Sequence, residues 1–325
     1  MEQTVNLRAE LLRRFCSSLP VRRYQAYHWL GKLFEPKAPY IVNFTGGRFE
    51  VRPGDLASIM VAYCGFYERE TTVWFRRYCE NASGAFIDVG AEFGYFPMLA
   101  DRYSNRRLRT FAFEPDPRNH AWLLRNIALN PGINVDPIAE AVCDARGTVK
   151  FEKPREGFTI FSRIQFVPGE AGGPAKDLGS ELIDVPSTTL DIFRRERGLS
   201  KISLVKIDVE GAEGAVLQGM QEGIAEGAYE RILLELHPWA FDTPERMEKI
   251  LGILNGLLVH YEVHQLPPFD TGGRWVDKTP DYYRMTWKDE FLRAVPRFEE
   301  QHVRGERNWE HFVFVRKGVS MFPAS

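Results

Sequence analysis

The stretch FIDVGAEFG, residues 86–94, decides the fold class of this chain. Its apolar run ends at Gly90, and Gly94 stands directly before a helical pattern that accepts Pro97 in its first turn. Glycine permits a sharp turn and a close approach of the backbone to a ligand. A strand, a tight turn and a helix in this order are typical of doubly wound α/β sheets, in which ligands bind beyond the carboxyl ends of the strands. The stretch therefore predicts a site for a nucleoside-containing cofactor.

Short β-branched and aromatic runs alternate with helical patterns from about residue 81 onward, as expected for βαβ units around a parallel sheet. The seven predicted strands are 85–89, 109–114, 135–142, 203–208, 231–236, 261–266 and 311–316, and the predicted helices are 95–103, 118–129, 189–197, 212–224 and 244–257. Because the last two strands have no helix between them, the last is free to run antiparallel. We expect a Rossmann-like, seven-stranded, mostly parallel sheet with an antiparallel last strand.

The domain organisation follows from the same change in pattern. Residues 1–80 are rich in helical patterns and are expected to form an N-terminal cap or lid, and residues 81–325 form the Rossmann-like domain. Two insertions, 149–188 and 267–306, interrupt that domain, and insertions of this length often shape binding sites. The second insertion contains aromatic residues that could stack on an acceptor or pack internally, namely Phe269, Trp275, Tyr282, Tyr283 and Trp287.

Composition excludes several classes of protein. The 42 basic and 44 acidic residues nearly cancel, so no net charge would attract nucleic acid or an anionic membrane. No apolar run approaches the ~20 residues of a membrane-spanning helix, and the first residues lack the pattern of a secretory signal. The cysteines form no CxxC pair and no zinc-like spacing, which favours reduced thiols. We expect a cytoplasmic protein whose partner is a small molecule.

Acidic residues follow three successive predicted strands. Asp88 lies at the end of the first strand, Glu114 ends the second, and Asp144 closes the third. A carboxylate at the position of Glu114 can accept hydrogen bonds from both ribose hydroxyls, and Asp144 could accept one from an adenine amino group. A lone aspartate is most often a helix cap or a turn residue. Three acids at adjacent strand ends instead favour an adenosine site.

An NAD-dependent oxidoreductase is one alternative, because a nicotinamide cofactor would use the same carboxylate. Its fingerprint is GxGxxG, whereas Gly90 and Gly94 are four residues apart with no glycine between them. A non-catalytic Rossmann-like binding protein is the second alternative. A nucleic-acid methyltransferase would need a basic face or an Asn-Pro-Pro-Tyr type of pocket, and the sequence has neither.

Four blocks of sequence resemble, in order, the FkbM family of methyltransferases. They are FIDVGA at 86–91 with Gly94, AFEPDP at 112–117, TLD at 189–191 and KIDVEGAE at 206–213. The resemblance covers about residues 50–240. It implies a class I methyltransferase fold, S-adenosylmethionine as cofactor, and O-methylation of a hydroxyl on a sugar, polyketide or other small metabolite. The expected cofactor-binding residues are Asp88, Gly90, Ala91, Glu92, Gly94, Glu114, Pro115, Asp144 and Asp208.

Glu92 departs from the family pattern, because relatives usually have a small amide residue at this position of the loop. Its carboxylate would place a negative charge near the cationic sulfonium. Cofactor binding is compatible with that charge in principle.

Catalytic residues are expected at the ends of the fourth and fifth strands. Methyl transfer from a sulfonium depends largely on positioning the nucleophile, and a hydroxyl nucleophile must also give its proton to a base. We expect His237 to be this base, with Asp208 and Glu210 lining the acceptor and the methionyl end. A turn histidine is an equal alternative for His237. We expect no metal, although Asp208 with Glu235 or His237 could bind Mg²⁺ that holds two neighbouring hydroxyls.

Two further features have structural explanations. Glu213 is expected to stabilise the positive N-terminus of the helix that it begins. His260 and His264 would resemble a metal motif only on a helix, and this stretch reads as a strand.

Overall fold

The computed structural model of the protein describes residues 4–18, 27, 29–31, 35–154, 163–164, 180–267, 292–304 and 310–324. The strands are β1 (Tyr40–Phe44), β2 (Gly47–Val51), β3 (Gly84–Val89), β4 (Leu108–Phe113), β5 (Val135–Ile138), β6 (Ala141–Val142), β7 (Gly147–Pro154), β8 (Arg163–Ile164), β9 (Ser180–Thr188), β10 (Leu204–Ile207), β11 (Arg231–Leu236), β12 (Tyr261–Gln265), β13 (Arg293–Ala294) and β14 (Glu310–Arg316).

The helices alternate with these strands along much of the chain. They are α1 (Leu7–Ser18), α2 (Leu56–Ile59), α3 (Arg69–Asn81), α4 (Tyr95–Tyr103), α5 (Pro117–Ala128), α6 (Leu190–Glu196), α7 (Glu213–Gln218), α8 (Gln221–Glu226), α9 (Pro244–Leu257) and α10 (Glu300–Arg304), with a π-helical turn at Met60–Cys64 and a 3-10 turn at Pro238–Phe241. Among the described helices, none combines the length and the apolar character that crossing a bilayer requires.

The central sheet has the order β13-β12-β14-β11-β10-β3-β4-β5. The five strands from β11 to β5 pair in parallel, whereas β14 runs antiparallel to both β11 and β12. Every residue of β10 and β11 is buried, as expected when helices cover both faces of a parallel sheet. The predicted Rossmann-like, mostly parallel sheet with an antiparallel last strand is confirmed.

The sheet has one strand more than the seven predicted. The two-residue strand β13 pairs with the end of β12, where His264 lies opposite Ala294. This short strand has no apolar alternation of its own, so the sequence pattern gave no signal for it. The five aromatic residues named above for the second insertion, Phe269 to Trp287, lie outside the described residues.

The predicted single strand over 135–142 is wrong. The chain leaves the central sheet after Ile138, and Ala141 and Val142 pair instead with Ser187 and Thr188 of β9. The first insertion supplies the second sheet, because β7 and β9 pair antiparallel over eight residue pairs. β5 is the edge strand of the central sheet, so its last residues can leave the sheet without breaking a ladder on a second side.

The predicted helix over 212–224 is two helices, α7 and α8, because Gly219 interrupts it. A Cβ at Gly219 would lie 2.2 Å from the carbonyl oxygen of Cys143. The close packing of this backbone on the chain after β6 therefore requires glycine. The other predicted helices agree with the structure to within one or two residues.

The N-terminal region packs directly on the sheet domain. Trp74 of α3 and Phe49 of β2 belong to the same buried apolar cluster as Phe86 of β3 and Trp122 of α5. Hydrogen bonds join the two parts as well, since the indole N–H of Trp122 donates to the carbonyl of Glu50 at 3.2 Å. The action of residues 1–80 as a lid remains a prediction.

Candidate active site

The glycine loop lies at the carboxyl end of β3, next to the end of β10. Gly90 has a φ of 89° and Gly94 a φ of 91°, both in the left-handed region that favours glycine. A Cβ at Gly90 would lie 1.8 Å from the carbonyl oxygen of Asp208. At Gly94 it would lie 2.6 Å from Cδ1 of Leu123 in α5. Gly90 is therefore required by the close approach of the β10 end, and Gly94 by its left-handed backbone conformation.

Glu114 is buried at the end of β4 and is fixed by backbone donors. Its Oε2 accepts the N–H of Glu92 at 2.8 Å, and its Oε1 accepts the N–H of Asp116 at 2.8 Å. Burial raises the pKa of Glu114 to about 8. Each carboxylate oxygen has a second lone pair, so the side chain can still accept a hydroxyl. The structure thus brings the glycine loop and the predicted ribose residue together.

The side chain of Glu92 is half-buried, and its backbone adopts a φ of 49°. Burial raises the pKa of this carboxyl well above its usual value, and the nearby carboxylates of Asp55 and Glu114 add to the effect. A protonated Glu92 is a hydrogen-bond donor rather than an anion. The raised pKa therefore opposes the negative charge that the sequence predicts at this position.

Three other residues expected to bind the cofactor, Ala91, Pro115 and Asp144, differ in burial and in the sheet to which they belong. Ala91 is buried and donates its N–H to the carbonyl of Phe113 at 2.9 Å, and Pro115 is half-buried beside Glu114. Asp144 is exposed and follows β6 of the second sheet. The expectation that Asp144 closes a strand of the central sheet is therefore wrong. Its contact with adenine remains a prediction.

His237 directly follows β11 and is almost fully buried, with 1% of its surface exposed. Its Nδ1 lies 2.5 Å from Oε1 of Glu213, the first residue of α7. The same oxygen accepts the N–H of Gly211 at 3.0 Å. Glu213 therefore does more than stabilise a helix N-terminus, because it fixes the orientation of the imidazole ring.

The second ring nitrogen, Nε2 of His237, faces three carboxylates. Their nearest oxygens belong to Glu210 at 3.6 Å, Glu235 at 3.7 Å and Asp208 at 3.9 Å. Burial alone would lower the pKa of His237, but the carboxylates of Glu210, Glu213 and Glu235, that of Glu210 foremost, raise it well above its usual value. Burial also raises the pKa of Glu210 to about 8. The structure thus brings together the three residues predicted as catalytic.

Lys206 is a buried cation within this group. Its Nζ lies 2.8 Å from Oδ2 of Asp208 and 4.6 Å from the centre of the Phe96 ring. Burial would lower the pKa of Lys206, but Asp208 and the other nearby carboxylates outweigh this effect and raise it. Across the β3–β10 ladder Lys206 pairs with Asp88, whose own pKa burial raises to about 7. Lys206 therefore anchors the carboxylate of Asp208.

A second histidine lies on the other side of Glu235. His311 in β14 pairs with Glu235 across the β11–β14 ladder, and its Nε2 lies 3.2 Å from Oε2 of Glu235 and 3.5 Å from Oε2 of Glu68. Burial would lower the pKa of His311, but Glu235 more than offsets this and raises it to about 10. Burial raises the pKa of Glu68. We call Glu68, Glu235 and His311 the β14 cluster.

The family of the chain is shown by its central region. Residues 88–264 match the methyltransferase FkbM domain, a range that begins in β3 and ends in β12. The chain belongs to the FkbM methyltransferase family. The resemblance in the four sequence blocks is confirmed, and S-adenosylmethionine is the cofactor of the FkbM domain.

Two curated relatives carry methyltransferase names. The chain is 28% identical over 156 residues to methyltransferase sdnD of Sordaria araneosa, covering 42% of this chain and 60% of the relative. It is 26% identical over 165 residues to hexuronic acid methyltransferase AglP of Haloferax volcanii, covering 51% of this chain and 60% of the relative. The chain thus spans about 60% of the length of these two relatives.

Solved structures with a similar fold are distant. The M. jannaschii TYW2 structure in complex with AdoMet has a TM-score of 0.37 at 12% identity, covering 87% of this chain and 88% of that chain. The SAM-dependent methyltransferase from Agrobacterium tumefaciens has a TM-score of 0.40 at 10% identity, covering 86% and 70%. The strand order of this FkbM protein itself defines its fold.

Sequence reasoning missed four features of this FkbM site. They are the buried Lys206, the bond between Glu213 and His237, and the contacts of His311 with Glu235 and with Glu68. Lys206 and Glu213 lie in the KIDVEGAE block, so a search restricted to that block could have found both. Glu68 and His311 are separated from Glu235 by long stretches of chain, and no local pattern connects them.

Proposed function

We propose that this chain transfers a methyl group from S-adenosylmethionine to a hydroxyl oxygen of a sugar or another small metabolite. The observation that carries the proposal is the geometry of His237. Its Nδ1 is held by Glu213, and its Nε2 faces the carboxyl ends of β10 and β11. Ligands of doubly wound sheets bind at this edge.

Glu114 and the glycine loop would hold the adenosine part of the cofactor. Glu114 would accept the ribose hydroxyls, and Asp144 would accept a hydrogen bond from the adenine amino group. Asp88 supports the proposal from the other end of the loop, because its Oδ1 is buried and makes no hydrogen bond with any described residue. A buried carboxylate oxygen of this kind requires a donor, which the ammonium group of the methionyl part would supply.

His237 would act as the general base. The cofactor supplies an electrophilic methyl group on a positively charged sulfur. The acceptor oxygen forms a bond to the methyl carbon as the carbon–sulfur bond breaks, and the proton of the hydroxyl moves to Nε2 of His237. Glu213 accepts the Nδ1–H and stabilises the imidazolium that results. The positive sulfonium also opposes the carboxylates that raise the pKa of His237, so cofactor binding favours the neutral base.

Asp208 and Glu210 would orient the acceptor. Carboxylates accept hydrogen bonds from hydroxyls, and both side chains lie within 4 Å of Nε2 of His237. An acceptor with neighbouring hydroxyls could therefore bind to them while one oxygen approaches the methyl group. A sugar acceptor is also supported by the name of the Haloferax volcanii relative, a hexuronic acid methyltransferase.

The proposal also covers the kind of molecule that accepts the methyl group and the cellular compartment of the protein. We propose a small-molecule acceptor rather than nucleic acid, because the chain has almost balanced charges, 42 basic against 44 acidic. A cytoplasmic location is supported by the cysteines Cys79 and Cys143, which are free and buried. Free thiols are typical of reducing compartments.

The test combines binding and turnover. Calorimetry with S-adenosylhomocysteine and with NAD identifies the cofactor, and mass spectrometry after incubation with a panel of hexoses, hexuronic acids and hydroxylated metabolites identifies the acceptor. We expect His237→Asn to lower kcat by about 10²–10⁴-fold and to leave the affinity for S-adenosylhomocysteine within about twofold.

The matched control is His260→Asn, which changes a half-buried histidine at the start of β12, outside the site. It should leave both kcat and cofactor affinity unchanged. Tight binding of NAD without binding of S-adenosylhomocysteine would refute the cofactor. Full activity of the His237→Asn variant would refute the base.

A further inference from the structure

We propose that the β14 cluster of Glu68, Glu235 and His311 binds a divalent transition-metal ion. The three side chains come from the start of α3, from β11 and from β14, and they meet beside the proposed methyl-transfer site. The cluster does not include His237 or Asp208, and binding of the ion does not depend on the proposed reaction.

The distances suit a common coordination sphere. Nε2 of His311 lies 3.2 Å from Oε2 of Glu235 and 3.5 Å from Oε2 of Glu68. Two ligand atoms at about 2.0–2.2 Å from a zinc ion lie about 3.3–3.6 Å apart at the tetrahedral angle. The ligand atoms of the three residues also lie within 4.8 Å of one another. A metal ion could therefore contact all three with small side-chain movements.

Two of the ligand atoms are buried without a hydrogen bond. Nε2 of His311 and Oε2 of Glu68 make none with any described residue, although Nε2 lies 3.2 Å from Oε2 of Glu235 and 3.5 Å from Oε2 of Glu68. His311 is more than nine-tenths buried, with 8% of its surface exposed. Buried polar atoms in folded proteins nearly always have a partner. A metal ion that displaces the proton from Nε2 of His311 would supply that partner to both atoms at once.

The charge around Glu235 also favours a cation. Asp208, Glu210 and Glu213 lie on the side of Glu235 that faces His237, and Glu68 lies on the side that faces His311. Among the described residues of this group, Lys206 and the imidazoles of His237 and His311, whose pKa values are raised, oppose these carboxylates. Buried carboxylates are stable only when cations or hydrogen bonds compensate them. A divalent ion in the β14 cluster would provide two positive charges at this point.

The ligand set indicates the class of metal. An imidazole nitrogen with two carboxylate oxygens suits Zn²⁺, Mn²⁺ or Fe²⁺, whereas soft ions prefer thiolates. Three protein ligands leave at least one position open for water or for an oxygen of the acceptor. Because Oε1 of Glu235 points to His237 and Oε2 to His311, an ion on Oε2 would lie next to the acceptor site.

The experiment uses the full chain after treatment with a chelator and dialysis. Co²⁺ is titrated and followed by its visible absorption, and Mn²⁺ is titrated and followed by electron paramagnetic resonance. We expect one strongly bound ion per chain. The variants Glu68→Gln and His311→Gln should each weaken binding by at least about tenfold, because even changes outside the ligand shell have such effects.

His237→Asn and His260→Asn are the controls, and both should bind the ion as the unchanged chain does. Affinity for S-adenosylhomocysteine, measured on each variant, shows that the cofactor site is folded. Loss of the ion in His237→Asn with retention in His311→Gln would overturn the proposal, since it would place the ion at Asp208, Glu235 and His237. Absence of Co²⁺ and Mn²⁺ binding at millimolar concentrations would overturn it as well. Neither result bears on methyl transfer, which is measured separately.

Discussion

At the scale of single residues, Gly90 shows most clearly how the sequence dictates the site. Its positive φ of 89° and its distance to the Asp208 carbonyl leave no room for a side chain. The requirement arises from the contact between two strand ends rather than from the cofactor. The fold therefore requires glycine at this position independently of any cofactor. The loop is a candidate binding site because it lies at the carboxyl edge of the parallel sheet.

We predict that Gly90→Ala destabilises the protein by at least about 3 kcal/mol, because the new Cβ combines backbone strain with a clash against a carbonyl oxygen. Urea denaturation measures the change. Gly252→Ala is the control, since Gly252 lies inside α9 and a Cβ added there would meet no other atom within 4 Å. That variant should be stabilised by about 0.5–1 kcal/mol. Equal stability of the two variants would contradict the close approach at Gly90.

Glu114 predicts a dependence of stability on pH. Its pKa in the folded protein is about 8, above its usual value of 4.5, so the folded state holds the proton more tightly than the unfolded state. The resulting stability is fully present below pH 4.5 and is lost as the pH rises through 8. The difference is on the order of 4 kcal/mol.

The measurement compares the unfolding free energies of the unchanged chain and of Glu114→Gln at about pH 5 and about pH 8. Only the unchanged chain should lose this contribution. The unfolding free energies of the unchanged chain and of Glu114→Gln, plotted against pH, should therefore converge or cross as the pH rises. Glu262→Gln, at an exposed carboxyl in β12, is the control and should follow the unchanged chain. Parallel curves for Glu114→Gln would show that Glu114 is ionised in the folded protein.

At the scale of elements, α5 connects the N-terminal hairpin to the cofactor loop. The amide of Asn126 donates to the carbonyl of Phe93 at 2.9 Å and accepts the N–H of Glu50 at 2.9 Å. Phe93 lies inside the loop, and Glu50 lies in β2. One buried side chain thus holds three elements in register.

We predict that Asn126→Ala costs about 2–4 kcal/mol, because it leaves a buried N–H and a buried carbonyl without partners. It should also weaken S-adenosylhomocysteine binding several-fold, since the loop loses its support. Asn255→Ala is a matched control, because Asn255 makes the same pair of bonds to the backbone of Phe298, at 3.0 and 2.8 Å. That variant should lose stability while its affinity for the ligand stays unchanged. An equal loss of affinity in both would refute a specific role for Asn126.

Errors in the predicted elements have local causes that the sequence does not display. The strand predicted over 135–142 was divided because its second half found partners in β9 rather than in the central sheet. The helix over 212–224 was divided because Gly219 packs against the Cys143 backbone. Both depend on which distant segment lies nearby, and periodicity contains no information about that.

At the scale of the whole molecule, the arrangement of strands predicts which ligand stabilises the fold. We expect S-adenosylhomocysteine at about 100 times its Kd to stabilise the protein by about 2.7 kcal/mol and to raise Tm by about 4–6 °C. NAD at the same concentration should leave Tm unchanged. Thermal unfolding with each ligand makes the comparison, and a larger shift with NAD would favour the oxidoreductase alternative.

The sequence by itself determined the order of the elements, the glycine loop and the acids at the strand ends. These features are local, since they depend on periodicity, on turn residues and on the strand that each residue follows. The tertiary structure decided which of these acids work together. Glu213 reaches His237 because α7 begins beside the end of β11, and Glu68 reaches His311 because α3 and β14 meet across Glu235. Such contacts between distant segments arise only when the sheet has formed and its core is packed.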